Sequence, residues 1–290
     1  MICEAVEAGA SYAKIQAIRS NELTFRERFE EGHLLADGTI KTIRRPFQAE
    51  RERLQRLDLS DEDEAWFAEE CKRAGINSMV TVFTRFSTAR LVDAGFDAVK
   101  IASYDCGSIS LLNEVSHEFR LVFISTGASL DTEISDAAKI FKKEQVFFLH
   151  CVTIYPTPLD QLNMNRMNWL RQFSSKVGFS DHTSPAHTGL KAPKLAIALD
   201  ANLVERHFTV LEPHETRDGP VSINQNQLRE LCDFAKLPYE SRLEKLAVEW
   251  PDWRIGLGKQ TRELSPTELF SRDYYSGCFA AWHNGQQIPN

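Results

Sequence analysis

Short apolar runs of strand length recur along the chain, separated by longer segments with helical periodicity. The runs are rich in β-branched and aromatic residues, which is typical of strands that are buried on both faces. Strands with two buried faces belong to parallel sheets that are covered by helices. The pattern predicts seven such strands, at 12–16, 78–83, 98–102, 121–126, 146–151, 176–181 and 203–209.

The segments between these runs carry helix signals. Residues 60–75 begin with Ser60, a favoured N-cap residue, continue with acids in the first turn and end at Gly75. Residues 186–201 are more apolar and contain Pro193, so we expect a helix that is kinked or interrupted. Further amphipathic helices are predicted at 87–95, 129–143 and 224–237.

The alternation of strands and helices predicts a parallel α/β fold, and the spacing favours a (β/α)8 TIM-type barrel. An open doubly wound sheet is the alternative, although no GxGxxG motif follows the first strand. Because seven strands are visible and the chain opens with a helix end, we expect the first barrel strand to be missing. Residues 1–250 are predicted to form the barrel, and residues 251–290 a C-terminal extension that packs on it. Residues 17–56, with a basic patch at 41–47, are predicted to form a long loop over a substrate site.

Composition and charge narrow the range of partners and compartments. The chain has 290 residues, of which 42% are hydrophobic and 26% charged, as in ordinary globular proteins. Its formal charge of -7 argues against a nucleic acid partner. Six scattered cysteines without a CxxC pair predict reduced thiols. No apolar run approaches the roughly 20 residues that span a bilayer, and we expect a cytoplasmic protein without a membrane partner.

Polar side chains stand at the ends of nearly all the predicted strands. The carboxyl ends of parallel strands meet at one edge of a barrel. Lysines and hydroxyl groups that converge there suit an anion with several oxygens, such as a phosphate. Each lysine taken singly could also be a solvated strand end or part of a buried ion pair. The residues at these ends are Lys14, Gln16, Thr81, Lys100, Ser103, Ser125, His150, Thr153, Tyr155, Ser180, Asp181, His182, Glu205 and His207.

Two of the predicted strands end in a histidine. His182 and His207, with Glu205 or Asp181 nearby, could hold a divalent cation whose other positions are open to water or substrate. A closed structural zinc site is not indicated, because four protein ligands are not evident. Histidines that only hydrogen-bond to core carbonyls are the alternative, and the residues alone leave both interpretations open.

A set of motifs occurs in a specific order along the chain: AKIQ (13–16), TVFTRFS (81–87), VKIASYD (99–105), STGAS (125–129), LHCVTIYPTP (149–158), VGFSDHT (177–183), ERHFT (205–209) and DGPVSI (218–223). On these motifs the chain resembles the sialic acid synthase (N-acetylneuraminate synthase-like) family from about residue 8 to about residue 237. The resemblance implies a (β/α)8 barrel transferase that condenses phosphoenolpyruvate with the open-chain aldehyde of an N-acylated amino sugar, such as N-acetylmannosamine. The products would be phosphate and a sialic acid-like nonulosonic acid for surface polysaccharide. A divalent metal, Mn²⁺ or Mg²⁺, is implied as the cofactor.

The resemblance also implies roles for the residues at matching motif positions. His182 and His207 would be the metal ligands. The implied catalytic groups are Lys100, Tyr155, Glu205 and Asp218, and the implied sugar contacts are Gln16, Tyr155 and Asp218. The implied phosphoenolpyruvate ligands are Lys14, Thr81, Lys100, Ser103, Ser125, Thr153 and Ser180.

We expect two parts of the family pattern to be missing from this chain. They are the first strand, with its AEIG-x-NH-like motif and glutamate, and the C-terminal antifreeze-like domain. A homodimer would therefore have to use the barrel surface. Two other functions stay open: a different phosphoenolpyruvate–aldose synthase that makes a 3-deoxy-2-keto acid, and a non-catalytic ligand-binding barrel. The GFSDHT motif weighs against the former.

Overall fold

A parallel sheet of seven strands is the centre of the computed structural model, which describes residues 1–34 and 40–290. In chain order the strands are β1 (Tyr12–Ala17), β2 (His33–Leu34), β3 (Ile40–Thr42), β4 (Asn77–Val82), β5 (Ala98–Ile101), β6 (Val122–Ser125), β7 (Val146–Cys151), β8 (Val177–Asp181), β9 (Leu203–Arg206), β10 (Ala280–His283) and β11 (Gln286–Pro289). The sheet has the order β1-β4-β5-β6-β7-β8-β9, and all of its pairs are parallel. The seven predicted strands are therefore confirmed, each to within three residues at its ends.

Helices connect the strands and cover the outer face of the sheet. The main apolar core lies between that face, which includes Val80, Val99 and Ile124, and the helices, which contribute residues such as Leu111 and Leu195. The α-helices are α1 (Ile2–Ala8), α2 (Arg28–Glu31), α3 (Phe47–Gln55), α4 (Asp61–Ala74), α5 (Thr88–Asp93), α6 (Ile109–Glu118), α7 (Asp131–Ile140), α8 (Arg166–Leu170), α9 (Pro185–Thr188), α10 (Lys191–Ala198), α11 (Gln225–Ala235), α12 (Tyr239–Glu249) and α13 (Pro266–Tyr275).

Local sequence sets the ends of α4. The Ser60 hydroxyl accepts a hydrogen bond from the Asp63 N–H, and the Asp63 carboxylate accepts one from the Ser60 N–H. This reciprocal capping box satisfies two backbone donors at the helix start. Gly75 then adopts a left-handed φ of 75°, which ends the helix. The predicted bounds of this helix are confirmed.

The predicted break in residues 186–201 is present, but it lies at Gly189 rather than at Pro193. Helix α9 ends before Gly189, and α10 begins at Lys191, two residues before the proline. Pro193 thus lies in the first turn of α10, where a backbone N–H has no partner within the helix and its loss costs little.

The inner face of the sheet has two layers. Its lower layer is apolar and includes Met79, Ala98, Phe123, Leu149 and Leu203. Because side chains alternate between the two faces of a strand, the residue two positions later on each strand points inward in the next layer. That next layer is polar, and its members are Thr81, Lys100, Ser125, Cys151 and Glu205, joined by Lys14 of β1 and Ser180 of β8.

The sheet curls far enough for its first and last strands to make contact through side chains. The Nζ atom of Lys14 on β1 lies 3.5 Å from a carboxylate oxygen of Glu205 on β9. Within residues 1–34 and 40–290, no further strand pairs with β1 or β9 in this sheet. The curled parallel sheet is therefore established, and the complete eight-stranded barrel, with its first strand missing from the chain, stays a prediction.

Residues 17–56 contain more structure than the predicted loop. The structure places α2, the short antiparallel hairpin β2–β3 and α3 in this stretch; residues 35–39 of the predicted loop lie outside the described residues. The C-terminal segment contacts other parts of the chain. Trp282 donates a hydrogen bond to the Asn21 carbonyl, and Arg272 pairs with Glu133. The domain boundary at residue 250 stays a prediction. None of the described helices is long and apolar enough to cross a membrane.

We expect the substitution Asp105→Asn to stabilise the fold near neutral pH. Burial raises the pKa of Asp105 to about 6, and hydrogen bonds from Asn290 and Ser108 only partly oppose this shift. Because the folded-state pKa is above the unfolded one, the cost to stability develops as the pH rises from about 4 to about 6 and is fully present above that. An asparagine keeps an acceptor oxygen and does not ionise. The free energy of unfolding near pH 7.5 should rise by on the order of 2 kcal/mol.

Urea unfolding of the wild type and the variant near pH 7.5 and near pH 4 measures this difference. The gain should be largely absent near pH 4, where the folded-state aspartate is protonated and the unfolded one is only about half ionised. Asp252→Asn, at an exposed position, is the matched control. An equal gain at both pH values would contradict the prediction.

Candidate active site

A buried carboxylate between two lysines occupies the centre of the polar layer. One oxygen of Glu205 lies 2.7 Å from Nζ of Lys100 and accepts a hydrogen bond from the Ser180 hydroxyl at 2.9 Å. The other lies 3.5 Å from Nζ of Lys14, which also donates to the Thr81 hydroxyl at 3.1 Å. Five strands thus contribute to one cluster of charges and hydroxyls.

The charge state of this cluster follows from its surroundings. Burial raises the pKa of Glu205, but Lys100 and Lys14 more than offset it and hold the pKa of that carboxyl far below its usual range. Burial lowers the pKa of Lys14, and the attraction of Glu205 only partly opposes this. Two lysines therefore share one ionised carboxylate, and the cluster favours the arrival of an anion.

Two hydroxyl groups next to this cluster have no hydrogen-bond partner. The Ser125 and Thr153 hydroxyl oxygens are buried and make no well-aligned hydrogen bond to a described residue, although the Tyr104 hydroxyl lies close to Thr153. A buried hydroxyl without a partner costs roughly 1–3 kcal/mol, so native structures keep such groups mainly where a ligand or water completes them. Ser125 is the last residue of β6, and Thr153 follows the end of the neighbouring strand β7 by two residues, on the face that carries the lysines.

Gly127 allows the loop after β6 to lie directly against the end of β7. A Cβ at this position would lie 2.7 Å from Cγ2 of Thr153 and 2.8 Å from Sγ of Cys151, closer than carbon and sulfur atoms can approach. The Gly127 N–H donates to the Ser103 hydroxyl at 3.1 Å. The glycine thus brings Ser103, Ser125 and Thr153 to one side of the site.

Two imidazoles lie on the other side of the site. The rings of His182 and His207 have centroids 5.4 Å apart. The Tyr155 hydroxyl is 3.0 Å from Nε2 of His182, and a carboxylate oxygen of Asp218 is 3.8 Å from Nδ1 of His207. Burial lowers the pKa of His182 to about 3 and also lowers the pKa of His207, which Asp218 opposes. Both rings are therefore neutral near pH 7.

Neutral imidazoles are suited to bind a divalent cation. The described residues contain no group of three or more histidine, cysteine, aspartate or glutamate side chains that could hold a metal by themselves. His182 and His207 therefore fit a cation whose remaining positions are taken by water or by substrate oxygens, as in a catalytic metal site.

Two of the polar strand-end residues point away from the site. His150 faces the outer helices, where Nε2 lies 2.6 Å from the Leu162 carbonyl oxygen. Asp181 is buried against Arg206 and accepts a hydrogen bond from the Thr183 N–H. Their sequence neighbours Cys151 and Ser180 face inward, so alternation along the strand excludes both from the polar layer. The expectation that Asp181 lies beside the histidines is wrong.

The remaining predicted residue on β1, Gln16, is exposed and lies two positions after Lys14 on the same face of the strand. Its backbone is opposite Thr81 in the sheet register. Among the described residues none forms a hydrogen bond with the exposed Gln16 side chain, which leaves it available to a ligand at the rim.

Sequence analysis missed several side chains at the mouth of the site. The Tyr104 ring follows Ser103 directly and stacks on Tyr275 of α13, with centroids 4.8 Å apart. The Tyr275 hydroxyl accepts a hydrogen bond from Arg45 at 2.7 Å. Arg45 belongs to the basic patch at 41–47, which was the only sequence signal for this rim. Tyr275 lies 171 residues beyond Tyr104 in the chain, a pairing that no local pattern indicates.

A cleft of about 800 Å³ lies beside the site, between the segment that follows β7 and the chain before α13. Val152, Asn163 and Arg262 line it together with Glu268. The Arg262 guanidinium makes two hydrogen bonds to the Glu268 carboxylate, at 2.6 and 2.7 Å. The charges of Arg262 and Glu268 therefore neutralise each other. The polar layer, rather than this cleft, is the candidate site of the chemistry.

Comparison with known proteins finds a family profile and several relatives that match this chain. The profile of the NeuB family matches residues 1–241. The N,N'-diacetyllegionaminic acid synthase of Campylobacter jejuni is 26% identical over 234 residues, which cover 79% of this chain and 67% of that protein. The crystal structure of the N-acetylneuraminic acid synthetase of Leptospira borgpetersenii superposes with a TM-score of 0.67 at 26% identity, over 94% of this chain and 84% of that chain.

A protein of Methanocaldococcus jannaschii without an assigned function is 32% identical over 185 residues, which cover 62% of this chain. This chain spans 54% of the length of that relative.

We expect the substitution Glu205→Gln to strengthen the binding of inorganic phosphate. The carboxylate of Glu205 occupies the two lysines that an incoming anion would use, so an uncharged amide of the same shape removes a competitor. The dissociation constant should fall by about tenfold, equivalent to about 1.4 kcal/mol. Isothermal titration calorimetry measures it, with Glu240→Gln on the outer helix α12 as the matched control. Weaker binding by Glu205→Gln would show that the carboxylate supports the anion site instead.

Proposed function

This chain belongs to the NeuB family, and on that premise we propose that it condenses phosphoenolpyruvate with the open-chain aldehyde of an N-acylated amino sugar. Inorganic phosphate and a sialic acid-like nonulosonic acid for surface polysaccharide would be the products. The observation that carries the proposal is the pair of buried, unpartnered hydroxyls of Ser125 and Thr153 beside the Lys14–Glu205–Lys100 cluster. An anion with several oxygens supplies the partners that these hydroxyls lack.

Phosphoenolpyruvate carries two anionic groups, and the polar layer offers donors for both. Lys14, with Thr81, lies at one end of the cluster, and Lys100 lies at the other, next to the side that Ser103 and Ser125 share. Holding both ends of the molecule fixes the direction of its enol carbon. Fixed geometry of this kind can contribute several kcal/mol to lowering the barrier.

His182 and His207 are the residues that would hold Mn²⁺ or Mg²⁺. A divalent cation at that position would polarise the oxygen of the sugar aldehyde. Burial keeps both imidazoles neutral, which is the form that ligates a metal. Tyr155 is half-exposed at the mouth, with its hydroxyl at His182, and Asp218 lies next to His207. In this proposal Tyr155 and Asp218 contact the hydroxyls of a sugar whose aldehyde points at the histidines.

The condensation has two bond-forming events. The enol carbon of phosphoenolpyruvate forms a bond with the aldehyde carbon, and the aldehyde oxygen takes up a proton to become a hydroxyl. Positive charge develops on the carbon that carries the phosphate ester, and water adds there. The resulting hemiketal phosphate then loses inorganic phosphate and leaves a 2-keto acid.

Glu205 has a specific part in this sequence of events. Its carboxylate is ionised and lies among the phosphoenolpyruvate ligands, so its negative charge stabilises the cationic carbon. The same carboxylate can accept a proton from the attacking water. Lys100 remains close to the leaving phosphate and offsets its charge.

Release of inorganic phosphate from phosphoenolpyruvate tests the function directly. With Mn²⁺ present, we expect release that depends on one N-acylated amino sugar from a panel that includes N-acetylmannosamine and 2,4-diacetamido-trideoxyhexoses. Lys100→Ala should raise the KM for phosphoenolpyruvate by about a hundredfold, because it removes a buried charged partner of the anion. Release with simple aldoses would indicate a 3-deoxy-2-keto acid synthase, and binding without release would indicate a non-catalytic barrel.

We expect His207→Ala to abolish the metal-dependent turnover while the chain stays folded. The imidazole is about 29% exposed, so its loss leaves no closed cavity, and the fold should survive. Phosphate release with and without EDTA, together with the circular dichroism spectrum, measures both properties. His117→Ala is the matched control, because that histidine is exposed at the C-terminal end of α6. Full turnover of His207→Ala in EDTA would overturn the metal site.

A further inference from the structure

Three arginine side chains surround one glutamate at the mouth of the site. Arg53 makes two hydrogen bonds to the Glu50 carboxylate within α3, at 3.0 and 2.8 Å. The Arg217 guanidinium reaches the same carboxylate from the chain after β9, at 3.3 Å. Arg45 approaches it to 4.0 Å from the segment before α3. Three separate parts of the chain therefore bring their guanidinium groups together.

The cluster carries an excess of positive charge. Of the described carboxylates, Glu50 alone lies within ion-pair distance of Arg45, Arg53 or Arg217. Burial raises the pKa of Glu50, but the three guanidiniums, Arg53 foremost, more than offset it and hold the pKa of that carboxyl below its ordinary value. Three positive charges thus share one negative charge near neutral pH.

Arg45 is held in place without the help of a second carboxylate. Its guanidinium lies over the rings of Tyr274 and Tyr275, 4.5 and 5.3 Å from their centroids, and donates to the Tyr275 hydroxyl at 2.7 Å. Its side chain is only about 18% exposed. A guanidinium fixed by stacking loses little entropy when it binds an anion, because its orientation is already set.

The arginine cluster is linked to the reaction centre along two routes. On one route Arg217 directly precedes Asp218, whose carboxylate is 3.8 Å from His207. On the other, Arg45 contacts Tyr275, which stacks on Tyr104 next to Ser103. The cluster therefore belongs to the rim of the same site, next in the chain to Asp218 and separated from Ser103 by two aromatic side chains.

We propose that Arg45, Arg53 and Arg217 form a subsite for a negatively charged group, a phosphate or a carboxylate, at the end of the amino sugar remote from its aldehyde. The inference rests on the proposed function, and it specifies the class of the second substrate as an anionic, N-acylated amino sugar. Guanidinium groups bind phosphate and carboxylate oxygens in paired hydrogen bonds, which fits both kinds of group. An open-chain sugar with its aldehyde at His182 and His207 extends toward the rim.

Three sugars that differ only at the remote carbon test this subsite. They are N-acetylmannosamine, N-acetylmannosamine 6-phosphate and N-acetylmannosaminuronic acid, which carry a hydroxymethyl, a phosphate ester and a carboxylate there. With the full chain, phosphoenolpyruvate and Mn²⁺, we expect kcat/KM for one of the two anionic sugars to exceed that for the neutral sugar by about tenfold or more. The preferred anionic sugar distinguishes phosphate from carboxylate.

Variants of Arg217 distinguish a binding role from a structural one. Arg217→Ala should reduce the ratio of kcat/KM for the anionic sugar to that for the neutral sugar by about tenfold, mainly through KM, and Arg217→Lys should recover part of it. If Arg217 only stabilised the local structure, the substitution would lower kcat/KM equally for both sugars. Arg229→Ala, on the exposed face of α11, is the matched control. A preference for the neutral sugar, or an equal loss for both sugars in Arg217→Ala, would overturn the inference.

Calorimetric titration of the same three sugars without phosphoenolpyruvate separates this inference from the proposed function. Binding of an anionic sugar that Arg217→Ala weakens, without any release of phosphate in the assay, would support the subsite and count against the condensation. Release of phosphate with the neutral sugar alone would support the condensation and overturn the subsite. A failure of all three sugars to bind would overturn the subsite as well.

Discussion

The contact on which the site depends is the carboxylate of Glu205 between Lys14 and Lys100. It joins the last strand of the sheet to the first strand and to β5, across the inner face of the curled sheet. Buried charges of one sign would repel each other and lower the stability, whereas one ionised carboxylate between two lysines keeps the interior close to neutral. The same arrangement leaves a slight excess of positive charge and two unpartnered hydroxyls, so it holds the fold together and also favours an anion.

Electrostatics divides the site into three parts with different tasks. The lysine and serine side favours negative charge, and the pair of neutral imidazoles is suited to a cation. Burial produces the neutral state of the imidazoles, since it lowers the pKa of His182 and His207. The arginine cluster around Glu50 lies further out and is richer in positive charge. An anionic sugar would then be held at both ends, by its aldehyde and by its charged group.

Much of the site can be predicted from the sequence alone. Strand-length apolar runs that end in lysine, serine or histidine predict a polar edge, because the carboxyl ends of parallel strands lie at the same edge of the sheet. The period of two along a strand then decides which residues share the inner face. That rule accounts for Cys151 facing inward while His150 packs on the outer helices, and for Asp181 pairing with Arg206 instead of joining His182. Applied to each strand end, it would have removed His150 and Asp181 from the candidates.

The sequence by itself determined the elements with local causes: the strands, the helix ends at Ser60 and Gly75, and the motifs that carry the family resemblance. Local signals suffice there because capping and alternation involve residues only two to four positions apart. Tertiary structure alone decided how Glu205 neutralises two lysines from distant strands, and how Tyr275 and Arg217 join Arg45 and Tyr104 at the rim. Those contacts link residues separated by up to about 230 positions, and their energies arise only when the curled sheet excludes water from the charges it brings together.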